Sequence, residues 1–516
     1  MHKMTFYRSF KNSYFFSAFF WSTLSKVLNA IFGFVSVPLL LSFYGKAEYG
    51  LLSIATACNG YMHLMDLGMN TGAVKFFAQW EAEGKRGLIY RVARTNISFY
   101  FIISIINVIG LLALAFWGES LFSVTHEQFI QLRYCFYILA LFSSVNWITT
   151  AYTQLLTAFK DVTYIMQIQC VLVIFKVALI VFVFLFNLSL IQYFFYLTLI
   201  VAIAIIPYMI KSKKEGYIDS HKPAAYWGDF KVVLTFSLAL FALSIFQVTA
   251  TQARPIILSI FAENGAETVA DYRIVEVIPL FIITVCGTFV SIFLPKSSEM
   301  MIRDNKDEIQ DYVNGWTVKT TILVCLLCFP FIVGGSQIIS AYVGAEYSYL
   351  TVWLQLWCVF LIVQMHSTPA FSFVLAKGKT KVLVIGTAIA CVLSILINIM
   401  LCKTMQVGSA IVGYIVYMLC LIGVYYMFLY KRYLGLKSWP IFISFLKHLL
   451  LGGVCCVIPY IINVDGLFSG FVSNTRIEYL LEFSILSLSW LIPYGIVLLL
   501  TNTIRLSEIK NKRDVK

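Results

Sequence analysis

Residues 252–262 read QARPIILSIFA, an arginine inside an apolar run, and residues 36–44 read SVPLLLSFY. Pro38 to Tyr44 lie over Pro255 to Phe261 at a constant offset of 217, and Val37 stands where the second copy has Arg254. Two further matches keep nearly the same spacing. Leu121-Phe122 and the following SVTHEQ lie over Ala341-Tyr342 and VGAEYS at 220, and Ala158 in LTAFKDV lies over Ala376 in VLAKGKT at about 218. Each falls at the same place in a succession of six apolar stretches, the signature of an internal duplication.

Composition sets the class. Of 516 residues, 60% are hydrophobic and 12% charged, about half the charged share of a soluble domain. Runs of about 20 apolar residues, enough to cross ~30 Å of hydrocarbon as a helix, are expected at 15–42, 49–74, 95–117, 134–157, 164–186, 190–210, 231–261, 269–294, 318–341, 350–375, 382–402, 408–429, 446–463 and 479–501. They are apolar all round, so they read as helices rather than barrel strands. The expected fold is an all-α polytopic membrane protein of about 14 spans. Its organisation is a first lobe over 1–217, a second over 218–430, and two additional spans with a tail over 431–516. An even number of spans per lobe relates the two by an axis along the membrane normal.

Charge placement gives the expected orientation. Of the 38 Lys and Arg, five (Lys46, Arg133, Arg273, Lys403, Arg476) fall on one side and three (Lys26, Lys176, Arg254) well inside spans, residues at the very ends of a span being counted with the adjoining loop. The other 30 share a side with both termini, which the positive-inside rule makes cytoplasmic. The net charge of +13 therefore reports topology, and nucleic-acid binding is not implied. The first apolar stretch is too long for a signal peptide and is interrupted by Lys26. The twelve cysteines lie mostly within spans, where they act as small apolar residues. Cys325 and Cys328 make the one C-x-x-C, without a second pair or histidine cluster, so metal or redox use is not expected.

Polar residues fall in stripes. Ser22, Lys26, Asn29, Gly33 and Ser36 share one face of the first span, and Ser237, Ser244, Gln247, Thr251 and Arg254 one face of the seventh. Gln169 and Lys176 of the fifth lie over Thr387 and Ser394 of the eleventh at offset 218, and that stripe continues to Asn398. Ser, Thr and Asn commonly bridge membrane helices, which is the plain reading of most of these. The cations are different, because Lys or Arg at a helix centre costs roughly 2.5–3.5 kcal/mol even on the permissive insertion scale. Asp66 and Glu276 are the acidic candidates for ion pairs with Lys26 and Arg254, or for ion coupling. His63, His366 and Gly68-x-x-x-Gly72 read as packing elements. Tyr and Trp suit interfacial belts.

The stretches SFYGKAEYGLLSI at 42–54 and MDLGMNTGAVKFFAQ at 65–79, within the fourteen-span layout, resemble the polysaccharide-transport branch of the multidrug/oligosaccharidyl-lipid/polysaccharide exporters, the Wzx-type flippases. The resemblance implies two six-helix lobes around a central cavity with the last two helices beside it. It also implies flipping of an undecaprenyl-pyrophosphate-linked oligosaccharide across a bacterial inner membrane, for O-antigen, capsule or exopolysaccharide assembly. Lys26, Lys176 and Arg254 would then be cationic lumen groups, with Asn29, Gln169, Gln247, Thr251, Ser394 and Asn398 lining it. No cofactor is expected beyond a proton or sodium gradient; a polymerase and a chain-length regulator are candidate partners. A multidrug or cation antiporter shares the architecture, but a cationic drug would be repelled by such a lumen. A membrane polymerase or ligase shares the composition, yet the outer loops are short and no carboxylate pair, His-Asp set or metal spacing appears.

Overall fold

The computed structural model describes residues 2–303, 305–377, 381–462 and 475–501. Those residues form helices joined by short turns, with no strand among them, as an apolar chain must in lipid, where backbone groups have to bond internally. Contacts divide it into two compact units, Met1–Ala270 with Leu401–Gln406, and Asp271–Met400 with Val407–Lys516.

The first unit contains α1 (His2–Met62), α2 (Met69–Ala82), α3 (Arg86–Trp117), α4 (His126–Ala158), α5 (Val162–Phe186), α6 (Leu190–Ile203), α7 (Ile205–Lys214) and α8 (Trp227–Phe261), and ends within α9 (Gly265–Arg303). The rest of the chain supplies α10 (Lys306–Val333), α11 (Gly335–Tyr342), α12 (Thr351–Met365), α13 (Thr368–Lys377), α14 (Lys381–Met405), α15 (Val407–Val424), α16 (Ser438–Cys455), α17 (Val457–Ile461) and α18 (Thr475–Leu500). After α15 the chain continues as a π-helix, Tyr425–Leu434.

Among the described residues, eleven helices are long and apolar enough to cross a membrane. The first, Ser17–Asp66, has 50 residues, about 75 Å of helix and so material for two passes. It bends at Gly45 (φ 80°, ψ 171°), a conformation that only glycine adopts without strain. α8 and α9, of 35 and 39 residues, occupy the seventh and eighth expected spans. The helices accommodate fourteen passes without fixing that number. Five expected spans are interrupted: 49–74 at residues 63–68, 190–210 at Ala204, 318–341 at Gly334, 350–375 between Met365 and Thr368, and 446–463 at Cys456. The basic tail 502–516 and the Ser244 side chain lie outside the described residues.

Within the first unit, α3 and α4 are joined by an antiparallel series of polar contacts. Asn96 Nδ2 donates to Gln154 Oε1 (2.8 Å), the Ser104 and Ser144 hydroxyls meet at 3.0 Å, and Ser143 Oγ donates to Asn107 Oδ1 (2.7 Å). Side-chain pairs of this kind hold membrane helices where apolar burial gives no net drive. A core of Phe77, Ile89, Tyr100, Trp147, Leu156, Tyr208 and Phe230 closes one end. Against it lies the 215–226 connection to α8, bonded along α3: Tyr90 Oη donates to Gly216 O (3.0 Å), Arg94 Nε to Lys222 O (2.9 Å), Ser98 Oγ to Ala224 O (2.6 Å), and Thr95 Oγ1 accepts from Tyr226 N (3.0 Å). Tyr217 stacks on Phe159 at 4.1 Å and donates to Asp161.

In the second unit, α16 and α18 pack on α10. Trp490 stacks on Phe329 (4.8 Å) and donates to Gly452 O (2.9 Å). Trp490 thus ties α18 to both α10 and α16. His366 is a packing residue: it stacks on Phe445 at 4.1 Å, donates from Nδ1 to Val363 O, and accepts at Nε2 from Tyr426 (2.9 Å).

Candidate functional site

Asp66-Leu67-Gly68 breaks a helix inside the apolar part of the chain. Leu67 (φ 53°) and Gly68 (φ 74°) both adopt the left-handed conformation, and α2 restarts at Met69. Gly68 is required twice over, since a Cβ there would also stand 2.5 Å from Ser237 O of α8. A Cβ on Gly72 would stand 1.9 Å from Ser237 Oγ, so the G-x-x-x-G is the close packing of α2 on α8.

The break turns Asp66 into the end of a hydrogen-bonded chain. Asn96 donates to Gln154, Gln154 Nε2 to the Tyr100 hydroxyl (2.5 Å), and Tyr100 to Asp66 Oδ1. Asp66 Oδ2 accepts the Asn70 N–H (3.1 Å) at the start of α2, a favourable place for a carboxylate. Asn96, Tyr100 and Gln154 are almost wholly buried, and Trp147 covers the Tyr100 ring at 5.8 Å. Every donor points toward Asp66. The expected pairing with Lys26 does not occur: among the described residues no ion pair joins them. The carboxyl group takes its bonds from Tyr100 and the α2 backbone instead. Sequence reading missed Asn96, Tyr100 and Gln154. Two amides inside apolar runs were the available signal for Asn96 and Gln154, whereas Tyr100 is one of 30 tyrosines.

Lys26 and Lys176 lie on packed neighbours, α1 and α5. Ser25 lies beside Cys170, and Lys176 Nζ is 5.9 Å from the Phe32 ring centroid, so the two helices run in the same direction. Lys26 is thus level with residue 170 of α5. Counting at 1.5 Å per residue, Lys176 is about 15 Å from the end of α5 at Phe186, and Lys26 about 24 Å. Arg254, 5% exposed, is about 10 Å from the end of α8 at Phe261. Lys26 is exposed and Lys176 half-buried.

The other stripe members divide. Asn29 Nδ2 donates to Ser25 O (2.9 Å), Gln169 to the Tyr208 hydroxyl (3.4 Å), and Thr251 to Val248 O (2.9 Å); Gln247 and Thr251 are exposed. Gln252, beside them, approaches Gly60 of α1, where a Cβ would be 3.4 Å from its Oε1. In the second unit Ser394 and Asn398 are buried. Asn398 Oδ1 accepts from Ser409 Oγ (2.8 Å), binding α14 to α15. Glu276 is paired with Arg273 one turn earlier on α9 and accepts from Tyr272 Oη (3.0 Å).

An all-helical, multi-pass chain that holds cations and a carboxylate within its apolar helices has the construction of a membrane transporter, and transporters share its fold. An inward-facing multidrug resistance MATE family transporter of the MOP superfamily superposes with a TM-score of 0.62 at 14% identity, over 78% of this chain and 93% of that one. The lipid II flippase MurJ in an inward closed conformation gives 0.59 at 14% identity, over 93% and 98%. A MATE in complex with MaL6 gives 0.52 at 14%, over 78% and 94%. A search of curated proteins returns no match. The family model of the polysaccharide biosynthesis proteins matches residues 16–301, and the chain belongs to that family. Its fold is that of the MOP-superfamily transporters it superposes on.

Proposed function

We propose that the protein flips an undecaprenyl-pyrophosphate-linked oligosaccharide repeat unit from the cytoplasmic to the outer leaflet of a bacterial inner membrane, with both termini in the cytoplasm. The carrying observation is the stepped set Lys26, Lys176 and Arg254, at roughly 24, 15 and 10 Å from the helix ends. A pyrophosphate does not enter hydrocarbon uncompensated, and Lys and Arg supply the compensation as charge-assisted hydrogen bonds. The family, and a fold shared with a lipid II flippase, support a lipid-linked substrate. Alternating access would pass the anion from Lys26 and Lys176 toward Arg254, feeding a polymerase and chain-length regulator that assemble O-antigen, capsule or exopolysaccharide. Asp66 is the residue for coupling to a proton or sodium gradient, as the terminal acceptor of a polar chain beside a helix break.

The test is mass analysis of lipid-linked oligosaccharides, with leaflet assignment, in a deletion strain complemented by Lys26→Gln, Lys176→Gln, Arg254→Gln or Lys176→Arg. Each Gln variant should accumulate inner-leaflet repeat units at normal protein level, and Lys176→Arg should retain more export than Lys176→Gln. Wild-type export from all three Gln variants would remove the charge-ladder reading. Asp66→Asn that leaves transport and its pH dependence unchanged would remove the coupling role.

A further inference from the structure

The sixth span of each sequence repeat ends in an apolar groove closed by a cation. In the first unit a cavity of about 670 Å³ is lined by Ile206, Met209 and Ile210 of α7, by Lys213 and Lys214 one turn further on, and by His221. In the second a cavity of about 550 Å³ is lined by Val382, Ile385 and Ile389 of α14, Val424, and Phe428 and Arg432 of the π-helix. At the repeat offset of 218, Ile206 falls on Val424, Ile210 on Phe428 and Lys214 on Arg432. The repeat-related positions therefore supply an apolar strip and a terminal cation in both places, with α14 adding a second wall only in the second.

One cation at each groove is not consumed by the protein. Lys211 pairs with Glu215 (3.1 Å) and Lys213 donates to Asp219 O, whereas Lys214 and Arg432 are exposed and make no bond or ion pair among the described residues. His221 adds no charge, because burial and the nearby Lys213 hold its imidazole below the usual range. The walls are open to the surroundings: Ile206 and Ile210 are 54% and 61% exposed, Ile385 and Ile389 50% and 56%. Beside a membrane, such a groove is filled by an acyl chain, and an unneutralised cation at its polar end selects which lipid brings it. A zwitterionic headgroup carries its own ammonium, while an anionic phosphodiester leaves one negative charge for Lys or Arg.

We infer that Lys214 and Arg432 each anchor the headgroup phosphate of an anionic glycerophospholipid whose chain occupies the adjoining groove. These are two repeat-related lipid sites separate from the transported substrate. Their assignment to the cytoplasmic leaflet rests on the topology proposed above; their existence does not. Arg432 binds the phosphate as a planar fork and Lys214 as a point charge, so the second site is the tighter.

The experiment is native mass spectrometry of the full-length protein in detergent, titrated with phosphatidylglycerol or with phosphatidylcholine of the same chains. Wild type should retain two phosphatidylglycerols in preference to phosphatidylcholine. Lys214→Gln and Arg432→Gln should each weaken one site about five-fold, the equivalent of ~1 kcal/mol per basic residue, and the double variant should show no preference. Lys214→Arg should keep both sites. Equal retention of the two lipids by wild type, or an undiminished preference in the double variant, overturns the inference. So does displacement of phosphatidylglycerol by millimolar inorganic phosphate, which marks a simple anion site, or by a lipid-linked pyrophosphate, which marks the grooves as substrate sites. No transport is measured, so failure of the flippase reading leaves the outcome interpretable.

Discussion

Replacing Tyr100 by Phe tests whether the polar chain ending at Asp66 acts as one unit. The substitution keeps the ring under Trp147, 5.8 Å between centroids, and removes only the hydroxyl. Two bonds are lost: the one accepted from Gln154 at 2.5 Å and the one donated to Asp66. Gln154 is 1% exposed, so its orphaned N–H costs about 1–3 kcal/mol, and the bond to a carboxylate contributes about 1.5–3 kcal/mol. The two share one hydroxyl and do not add fully, giving about 2–4 kcal/mol. Interhelical hydrogen bonds in membrane proteins average only ~0.6 kcal/mol; the higher figure is expected because Asn96, Tyr100 and Gln154 are buried away from water. Thermal unfolding in detergent, followed by tryptophan fluorescence, measures Tyr100→Phe, Gln154→Leu and the double variant. With Tyr100 already removed, Gln154→Leu discards an amide that has lost one partner, so the double variant should be less destabilised than the sum by about 1–2 kcal/mol. Single costs below about 0.5 kcal/mol, or additivity within that margin, would refute the reasoning.

Gly50→Ala should destabilise the first unit by about 3 kcal/mol or more, since its Cβ would stand 1.9 Å from Ala266 O and backbone, unlike a side chain, gives little; the same unfolding measurement checks it. The 215–226 connection should loosen in acid. The His221 pKa is lowered in the folded chain by burial and by Lys213, so its contribution is complete above the unfolded value near 6.5 and falls as pH drops toward the folded one. Protonated Nδ1 no longer accepts from Tyr152 Oη, now at 2.8 Å, and amide protection factors across 215–226, which take out the intrinsic pH dependence of exchange, should fall in acid in wild type but stay constant in His221→Gln. Charge reversal at the exposed Arg91–Asp229 pair, 2.7 Å apart, should change stability by less than about 1 kcal/mol.

Fold class and most span positions could be read from the chain because apolar length is a one-dimensional property that lipid enforces residue by residue. The helix breaks were harder to read. At 63–68 the run HLMDLG is apolar enough to continue a span, and what stops the helix is the fit of Gly68 and Gly72 against Ser237, a contact more than 160 residues away in sequence. Depth of a cation was similarly legible from distance along its helix, whereas partners were not. Asp66 looked like a counter-ion for Lys26 because both were charged and near in depth, yet its bonds come from a tyrosine and a backbone amide. Glu276 took the arginine one turn away on its own helix, the pairing that local geometry makes cheapest. Ser394 and Asn398 belong to a stripe by periodicity, and only the packing of α14 on α15 gives Asn398 its bond to Ser409.

The 215–226 connection gives the duplication an unusual seam. The sequence repeats are expected to adjoin near residue 217, but α8, which would open the second copy, is bonded to α3 through the preceding loop and packs on α1, α2 and α3. A gene cut at the seam would release a first fragment lacking the wall against which Gly68 and Gly72 close, and a second fragment carrying an orphan helix. A cut in the turn at residues 262–264 would keep those partners on one polypeptide. For anyone splitting this protein into two co-expressed pieces, or swapping halves between relatives, a joint after α8 lies about 45 residues beyond the repeat boundary expected near residue 217 and leaves Gly68 and Gly72 with their partner Ser237.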